Sequence, residues 1–251
     1  MPRKKFTHQL KDVAELLSVA DAVVDRDPSL TYFRQSITYQ PFVSGAVVLL
    51  CARFEEFLRD VVTYALDQYA SSSPQILLSE LPEELQLHIV QQNINVALQN
   101  KRHGVSRDNS VRLAETLMIA RHYVADRIWS DHAIDTGGNP GPDTVKDLLR
   151  LVGIKDPWKR INQEFSSTFA APEIPGLPGR VIRSPREELA RIVRARNSIA
   201  HSGAGVSLSS AEVRLDMHFL MHLSGIIYDQ LRSEVTAYAI SLGRTPAPWN
   251  Q

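Results

Sequence analysis

The spacing of apolar residues along the chain predicts a series of α-helices. In several long segments these residues recur three and four positions apart, as one buried helix face requires. The segments are residues 7–25, 41–70, 82–100, 110–130, 185–201 and 209–242, with shorter ones at about 75–80, 144–152 and 157–169. No stretch alternates apolar and polar residues convincingly enough to predict a strand. The pattern therefore predicts an all-α helical bundle forming a single domain over residues 1–251.

Proline and glycine residues mark where these segments begin and end. Pro41 is expected to open the second long helix, and residues 31–40 fit either an extended piece or a helical turn. A glycine-rich loop follows Asp131, and a proline-rich connector covers residues 170–183. Residues 131–183 are therefore expected to form an irregular insertion or cap on the bundle.

The helix predicted over residues 185–201 has clear start signals. Ser184 suits the N-cap position, Pro185 the first helical position and Glu187 the third, which together form a capping box. Its apolar stripe is Leu189, Ile192, Val193, Ile199 and Ala200. At about 100° per residue, Arg196 falls in the middle of that stripe. An arginine there must pair with another group or line a site, since an unpaired buried charge is costly.

Composition narrows the protein class only slightly. Positive and negative side chains balance at 28 each, so no global basic field draws the chain to nucleic acid or membrane. Cys51 is the one cysteine, which excludes an intramolecular disulfide and fits a reducing cytoplasm. No signal peptide and no membrane span is expected, because no apolar run is long enough.

Metal and cofactor signals are weak, and no cofactor is expected. His218 and His222 are four residues apart, a spacing that can bind metal, but no third ligand accompanies them. A solvated or hydrogen-bonded pair is the favoured interpretation. The loop from Gly137 to Gly141 lacks the lysine and hydroxyl residue of a phosphate-binding loop, which favours a plain loop.

The strongest candidate chemistry lies in Arg196, Asn197 and His201. Histidine can move a proton near neutral pH, and arginine can balance the charge of a phosphorane-like transition state. Five residues on a helix separate Arg196 and His201 by about 140° and roughly 7.5 Å, which suits gripping one phosphate. A chance pair on an ordinary helix remains the alternative. Arg186, Arg191, Arg194 and the neighbouring Ser202 are candidate RNA contacts, or part of a solvated basic face.

The sequence Arg196-Asn197-x-x-x-His201, closing a helix in an all-α chain, resembles the R-N-x3-H signature of HEPN domains. The stretch from Val47 to Asp60, in which an apolar run leads into Glu55, an aromatic residue and a leucine, is similar to the matching helix of the RiboL-PSP and MAE_28990-type HEPN groups. This resemblance implies a metal-independent endoribonuclease, active as a homodimer with both motifs meeting at the two-fold axis. It also implies a role as a toxin or phage-defence effector, restrained by an antitoxin or other partner.

Transferred by position, the resemblance makes Arg196 and His201 catalytic and Asn197 supportive, with Glu55 orienting one of the pair. The tyrosine that some antitoxins modify, two residues after the histidine, is Gly203 here, which argues against that form of regulation. Two alternatives stay open. One is a non-catalytic module of the same fold that binds RNA or a partner protein. The other is a structural bundle in which Arg196 merely pairs with Glu55.

Overall fold

The computed structural model describes residues 1–26, 32–102, 105–170, 172, 182–202 and 208–249. Within these ranges the chain is mainly helical, which confirms the all-α prediction. The helices are α1 (Pro2–Arg26), α2 (Tyr32–Ala70), α3 (Glu83–Leu98), α4 (Asn109–Val124), α5 (Pro142–Leu151), α6 (Pro157–Thr168), α7 (Pro185–Ser202) and α8 (Ser210–Ser241). The predicted break at residues 27–30 and most of the proline-rich connector lie outside the described residues.

Helices α1 and α2 form an antiparallel pair with an aromatic contact at its centre. The ring centroid of Phe6 lies 5.3 Å from that of Phe57 and 6.1 Å from that of Phe54, and all three rings are buried. Ion pairs flank these rings, with Lys5 2.7 Å from Asp60. Because burial of aromatic rings outweighs exposed ion pairs, the apolar stripe of α2 is what holds α1.

The start of α2 differs from the prediction. The helix begins at Tyr32, so Pro41 lies inside it and does not open it. A proline inside a helix removes one backbone hydrogen bond, and the turn before it therefore needs support from elsewhere. Tertiary contacts supply that support. The Tyr39 hydroxyl accepts a 2.6 Å hydrogen bond from the Ser210 backbone N–H, and Gln40 donates to the Leu208 carbonyl.

Helices α3 and α4 are shorter than predicted. Only a 3₁₀ turn, Leu78–Glu80, forms in the segment before Pro82, and α4 ends at Val124, six residues before the expected Ser130. Asp126 then adopts a left-handed conformation (φ 53°), and its carboxylate accepts hydrogen bonds from the Ser79 backbone and side chain. Between the helices, Lys101–Arg102 and Val105–Ser106 pair as a minimal antiparallel hairpin that the sequence pattern did not predict.

Helix α4 exposes most of its apolar face. Leu113, Leu117 and Val124 are in register on one side of the helix, with 60%, 61% and 89% of their surface accessible. Ile119 is the residue of α4 that reaches the core. The predicted stripe thus exists, but nothing in the described part of the chain covers it.

The segment predicted as an insertion or cap contributes directly to the core. Val145 and Leu149 of α5, and Ile161 and Phe165 of α6, belong to the same buried cluster as α2 and α8. Helix α5 contacts α2, α6 and α7, and α6 contacts α7 and α8. These two helices therefore build the side of the bundle against which α7 rests.

Helix α8 is central to the fold, since it contacts α1, α2, α6 and α7. Fifteen of its residues are buried, and Ser209 and Glu212 form the capping box that their three-residue spacing predicts. Gly243, with φ 69°, follows its end. Among the described residues, no helix combines the length and apolar character that a membrane crossing needs.

Candidate functional site

Helix α7 is fixed at its start by local sequence and along its length by burial. The Glu187 backbone N–H donates to the Ser184 hydroxyl at 3.3 Å, which confirms the predicted N-cap. Leu189, Ile192 and Ala195 are buried on its inner face. Ala200, predicted on the stripe, is exposed, because the buried face follows positions 188, 192, 195 and 199 and leaves residue 200 outside.

Arg191 fastens α7 to α8 through ion pairs. Its guanidinium lies 2.8 Å from Glu188 on its own helix and also pairs with Asp216 of α8. The Asp216 side chain is only 2% exposed, so its charge needs this partner. Both carboxylates raise the pKa of Arg191, against the opposing effect of burial. Arg191 was predicted as an RNA contact. Its described contacts are structural, and the RNA role stays a prediction.

Arg196 is half-buried on the inward side of α7, where the helical spacing predicted it. Its Nη1 donates a 2.9 Å hydrogen bond to Asn197 Oδ1. Its Nε is buried and has no hydrogen-bond partner among the described residues. The hydrogen bond to Asn197 therefore holds one edge of the guanidinium in a fixed orientation. Nη2 has no hydrogen-bond partner within the described part of the chain.

A group of charged side chains surrounds Cys51 of α2, and Arg196 belongs to it. Burial raises the pKa of the Cys51 thiol to about 12. The charges of Arg196 and Arg191 act in the opposite direction, while those of Asp216 and Glu55 add to the rise. We call these four residues, Glu55, Arg191, Arg196 and Asp216, the Cys51 cluster. Its members come from α2, α7 and α8, and two of them, Glu55 and Arg196, are predicted catalytic residues.

Glu55 lies in that cluster but contacts other residues. Its Oε1 accepts a 2.6 Å hydrogen bond from the Thr136 hydroxyl and lies 3.6 Å from Arg59. Within the described ranges no hydrogen bond or ion pair joins it to Arg196 or His201. The Arg196–Glu55 pair of the purely structural alternative is thus not seen there, and an orienting role for Glu55 stays a prediction.

His201 lies in the last turn of α7 and is exposed. Arg194 and Ser198 are exposed on the same outer face of the helix. The described structure contains no hydrogen bond between His201 and Arg196. The three motif residues therefore present a fixed Arg196–Asn197 pair at the edge of the core and an imidazole open to solvent, one turn further along.

A groove of about 230 Å³ opens beside this motif. Arg194, Val193 and Asn197 form one wall, and the loop and first turn from Asn139 to Thr144 form the other. The sequence predicted a plain loop at residues 137–141 and gave no sign that it would meet α7. The first turn of α5 brings the Asp143 carboxylate into the groove, across from Arg194.

The other predicted RNA contacts differ in their surroundings. Arg186 is exposed and lies 3.5 Å from Asp143, a residue that also lines the groove. Arg194 is exposed and has no ion pair among the described residues. Ser202 is the last residue of α7, and its side chain is outside the described part. Arg194 is therefore the predicted contact best placed to meet a phosphate in the groove.

The two histidines of α8 have different surroundings. His218 is exposed, whereas His222 packs against Phe165 and Phe169 and lies 2.9 Å from the Thr168 hydroxyl. Burial lowers the pKa of His222. No group of three metal-ligating side chains comes together in the described ranges.

An all-α bundle with an arginine–asparagine pair and a histidine at the end of one helix is the arrangement of HEPN domains. The profile of the RiboL-PSP-HEPN family matches residues 7–233, and the chain belongs to this family. This confirms the resemblance found in the sequence. No curated protein and no solved structure gives a match. HEPN domains include RNases and nucleotide-binding modules, and the chain is therefore a member of a family with those activities.

Proposed function

We propose that the protein is a metal-independent endoribonuclease whose site is built on Arg196, Asn197 and His201. The observation that carries the proposal is the 2.9 Å hydrogen bond from Arg196 to Asn197 beside a groove that Arg194 also lines. It leaves a cation at a fixed position, with a histidine one turn away. Membership of the RiboL-PSP-HEPN family supports the same reaction class.

The chemistry needs no group outside the chain and the RNA. The ribose 2′-oxygen attacks phosphorus, the bond to the 5′-oxygen breaks, and the products carry a 2′,3′-cyclic phosphate and a 5′-hydroxyl. His201 takes the proton from the 2′-hydroxyl or delivers one to the leaving 5′-oxygen. Arg196 balances the charge on the phosphoryl oxygens through Nη2, while Asn197 holds Nη1.

A second copy of the chain would complete the site. One α7 presents a single imidazole, and His201 is exposed. Two copies meeting at this face would place two arginines and two histidines around one phosphate. Such an enzyme would act as a toxin or phage-defence effector in the cytoplasm, held in check by an antitoxin or another regulatory partner.

The test is cleavage of a labelled RNA in EDTA. The parent chain should cut the RNA and leave cyclic phosphate ends. His201→Ala should lower the rate by about a hundred- to ten-thousand-fold, the usual contribution of a general acid or base. His218→Ala is the matched control, because His218 is an exposed histidine on another helix. Equal activity in both variants, or cleavage only with added metal, would exclude the mechanism.

A non-catalytic module that binds RNA or a partner protein is the second candidate. The exposed apolar face of α4, with Leu113, Leu117 and Val124, favours it, because large uncovered apolar faces are typical of interaction surfaces. A salt-dependent mobility shift of RNA with no cleavage by the parent chain would support this candidate over the nuclease.

A further inference from the structure

A second, larger hollow lies between α1 and α8, and its lining is strongly basic. It has a volume of about 750 Å³, within the range of ligand sites. Its lining includes four cations and one histidine against a single carboxylate. These residues are Arg3, Lys4, His8, Lys11, Arg232 and Asp229. In a chain with no net charge, this local excess of positive charge is a distinct feature.

The four cations of this hollow have no acidic partner in the part of the chain that the structure describes. Elsewhere on α1, Lys5 pairs with Asp60 and Glu56 of α2. By contrast, no ion pair or hydrogen bond involves Arg3, Lys4, Lys11 or Arg232 within the described ranges. Like charges held around one hollow repel one another, and a bound anion removes that repulsion.

Arg3, which lines the hollow, lies against a glycine inside α8. A Cβ at Gly225 would lie 3.3 Å from Nη2 of Arg3, which is closer than ordinary van der Waals contact. Glycine in a helix interior costs about 1 kcal/mol relative to alanine, so its presence at a buried position needs a reason. The absent side chain lets the Arg3 guanidinium lie on the helix backbone. Its charge also reaches His222 and Tyr228, where it opposes protonation of the first and favours ionisation of the second.

The cations are arranged in a line. Lys4, His8 and Lys11 are exposed and lie one turn apart along α1. Lys4 and Lys11 are therefore separated by about 10 Å along the helix axis. Arg232 adds a further cation from the α8 side. A row of single cations suits a ligand with repeated phosphates better than a compact anion.

We propose that this hollow, which we call the α1–α8 groove, binds the phosphate backbone of a single nucleic-acid strand. Cations of both α1 and α8 line one concave hollow, which suits a strand lying between the two helices better than a flat lipid surface. The groove uses the first half of α1 and the middle and later part of α8, whereas Asp21 at the other end of α1 contacts the start of α8. It is thus a site separate from the α7 motif, and strand binding there does not require the chain to cleave RNA.

The test measures binding of a short fluorescein-labelled 2′-O-methyl oligouridylate by anisotropy at increasing KCl. This probe has no free 2′-hydroxyl, so a failure of the nuclease proposal leaves the result unaffected. The Lys11→Ala/Arg232→Ala variant should bind at least tenfold more weakly. The slope of log K against log salt should become shallower by about 1.4, which is about 0.7 for each lost phosphate contact.

The matched control is Lys155→Ala/Lys159→Ala, which removes the same charge from exposed positions outside the groove. It should keep the parent affinity within twofold. If the Arg232 substitution disturbs the fold, judged by thermal melting, Lys4→Ala/Lys11→Ala replaces it, since both lysines are exposed. Equal losses in groove and control variants overturn the proposal. Binding to phosphatidylglycerol vesicles without binding to the oligonucleotide also overturns it and assigns the groove to a membrane surface.

Discussion

Arg191 of α7 and Asp216 of α8 form an ion pair in which the carboxylate is almost wholly buried. Glu188 pairs with the same guanidinium at 2.8 Å. The contact ties the helix that carries the motif to the helix at the centre of the fold. Its loss should therefore act on stability first and on the site through the displacement of α7.

Arg191→Ala is expected to lower the free energy of unfolding by about 3 kcal/mol, because it leaves the buried Asp216 charge without this partner. Urea titration measures the change. Arg194→Ala is the matched control, since Arg194 is exposed, and it should change stability by less than about 0.5 kcal/mol. In an RNA-cleavage assay under conditions in which both variants are folded, Arg194→Ala should lower the cleavage rate more than Arg191→Ala, because Arg194 is proposed to contact the RNA directly. A stable Arg191→Ala protein would contradict the structural role.

Substitutions at Glu55 and Thr136 distinguish two roles of Glu55, namely holding the loop that carries Thr136 and acting in the catalytic site. Thr136→Val removes the 2.6 Å hydrogen bond and should cost about 1.5 kcal/mol, because a partly buried carboxylate loses a donor. Glu55→Gln keeps an acceptor oxygen for Thr136 and should change stability less. If Glu55 orients His201 in the assembled enzyme, Glu55→Gln lowers the cleavage rate and Thr136→Val does so less. The reverse order would assign Glu55 to the loop alone.

Mixing two inactive variants tests the composite site. Arg196→Ala and His201→Ala chains each lack one group. A mixed dimer retains one arginine and one histidine, on different protomers. Refolding the two together should give cleavage well above that of either variant alone, measured on the same labelled RNA. Activity no greater than that of the separate variants would mean that each site is built within one chain. Light scattering on the parent chain should show a dimer.

The pH dependence of stability should reflect two histidines whose pKa is lowered in the folded state. Burial lowers the pKa of His88 and of His222. A base with a depressed folded pKa binds fewer protons in the native state. Its stabilising effect is thus complete above the unfolded pKa of about 6.5 and is lost as pH falls below that value.

The free energy of unfolding should therefore decrease on acidification from neutral pH. Thermal melting in a series of buffers measures this decrease. His222→Gln should flatten that decrease because one titrating group is gone. His218→Gln serves as the comparison, since His218 is exposed and should leave the slope unchanged. An unaltered slope in His222→Gln would show that other groups cause the acid sensitivity.

Local sequence patterns predicted those parts of the fold that depend on neighbours along the chain. The boundaries of α7 and α8 followed from Ser184 and Ser209 as caps, and the position of Arg196 followed from helical periodicity. Periodicity also found the apolar stripe of α4. It cannot say whether another element covers that stripe, and Leu117 is 61% exposed.

Contacts between distant segments account for what the sequence did not reveal. Pro41 was expected to begin a helix, and the contacts of Tyr39 and Gln40 with the residues around the start of α8 support the turn before it. The groove beside Asn197 arises because residues 139–144 meet α7, and nothing in either segment signals the other. Glu55 was assigned from a family pattern, and its contact with Thr136 crosses 81 positions.

The Arg191–Asp216 ion pair joins α7 to α8, a helix that is synthesised after it. Arg196 and His201 leave the ribosome before Asp216, the residue that holds α7 in place through Arg191. Until α8 has emerged and docked on α1 and α2, the motif helix lacks the ion pair that joins it to Asp216. The surface proposed to cut RNA would then be complete only after α8 has been synthesised.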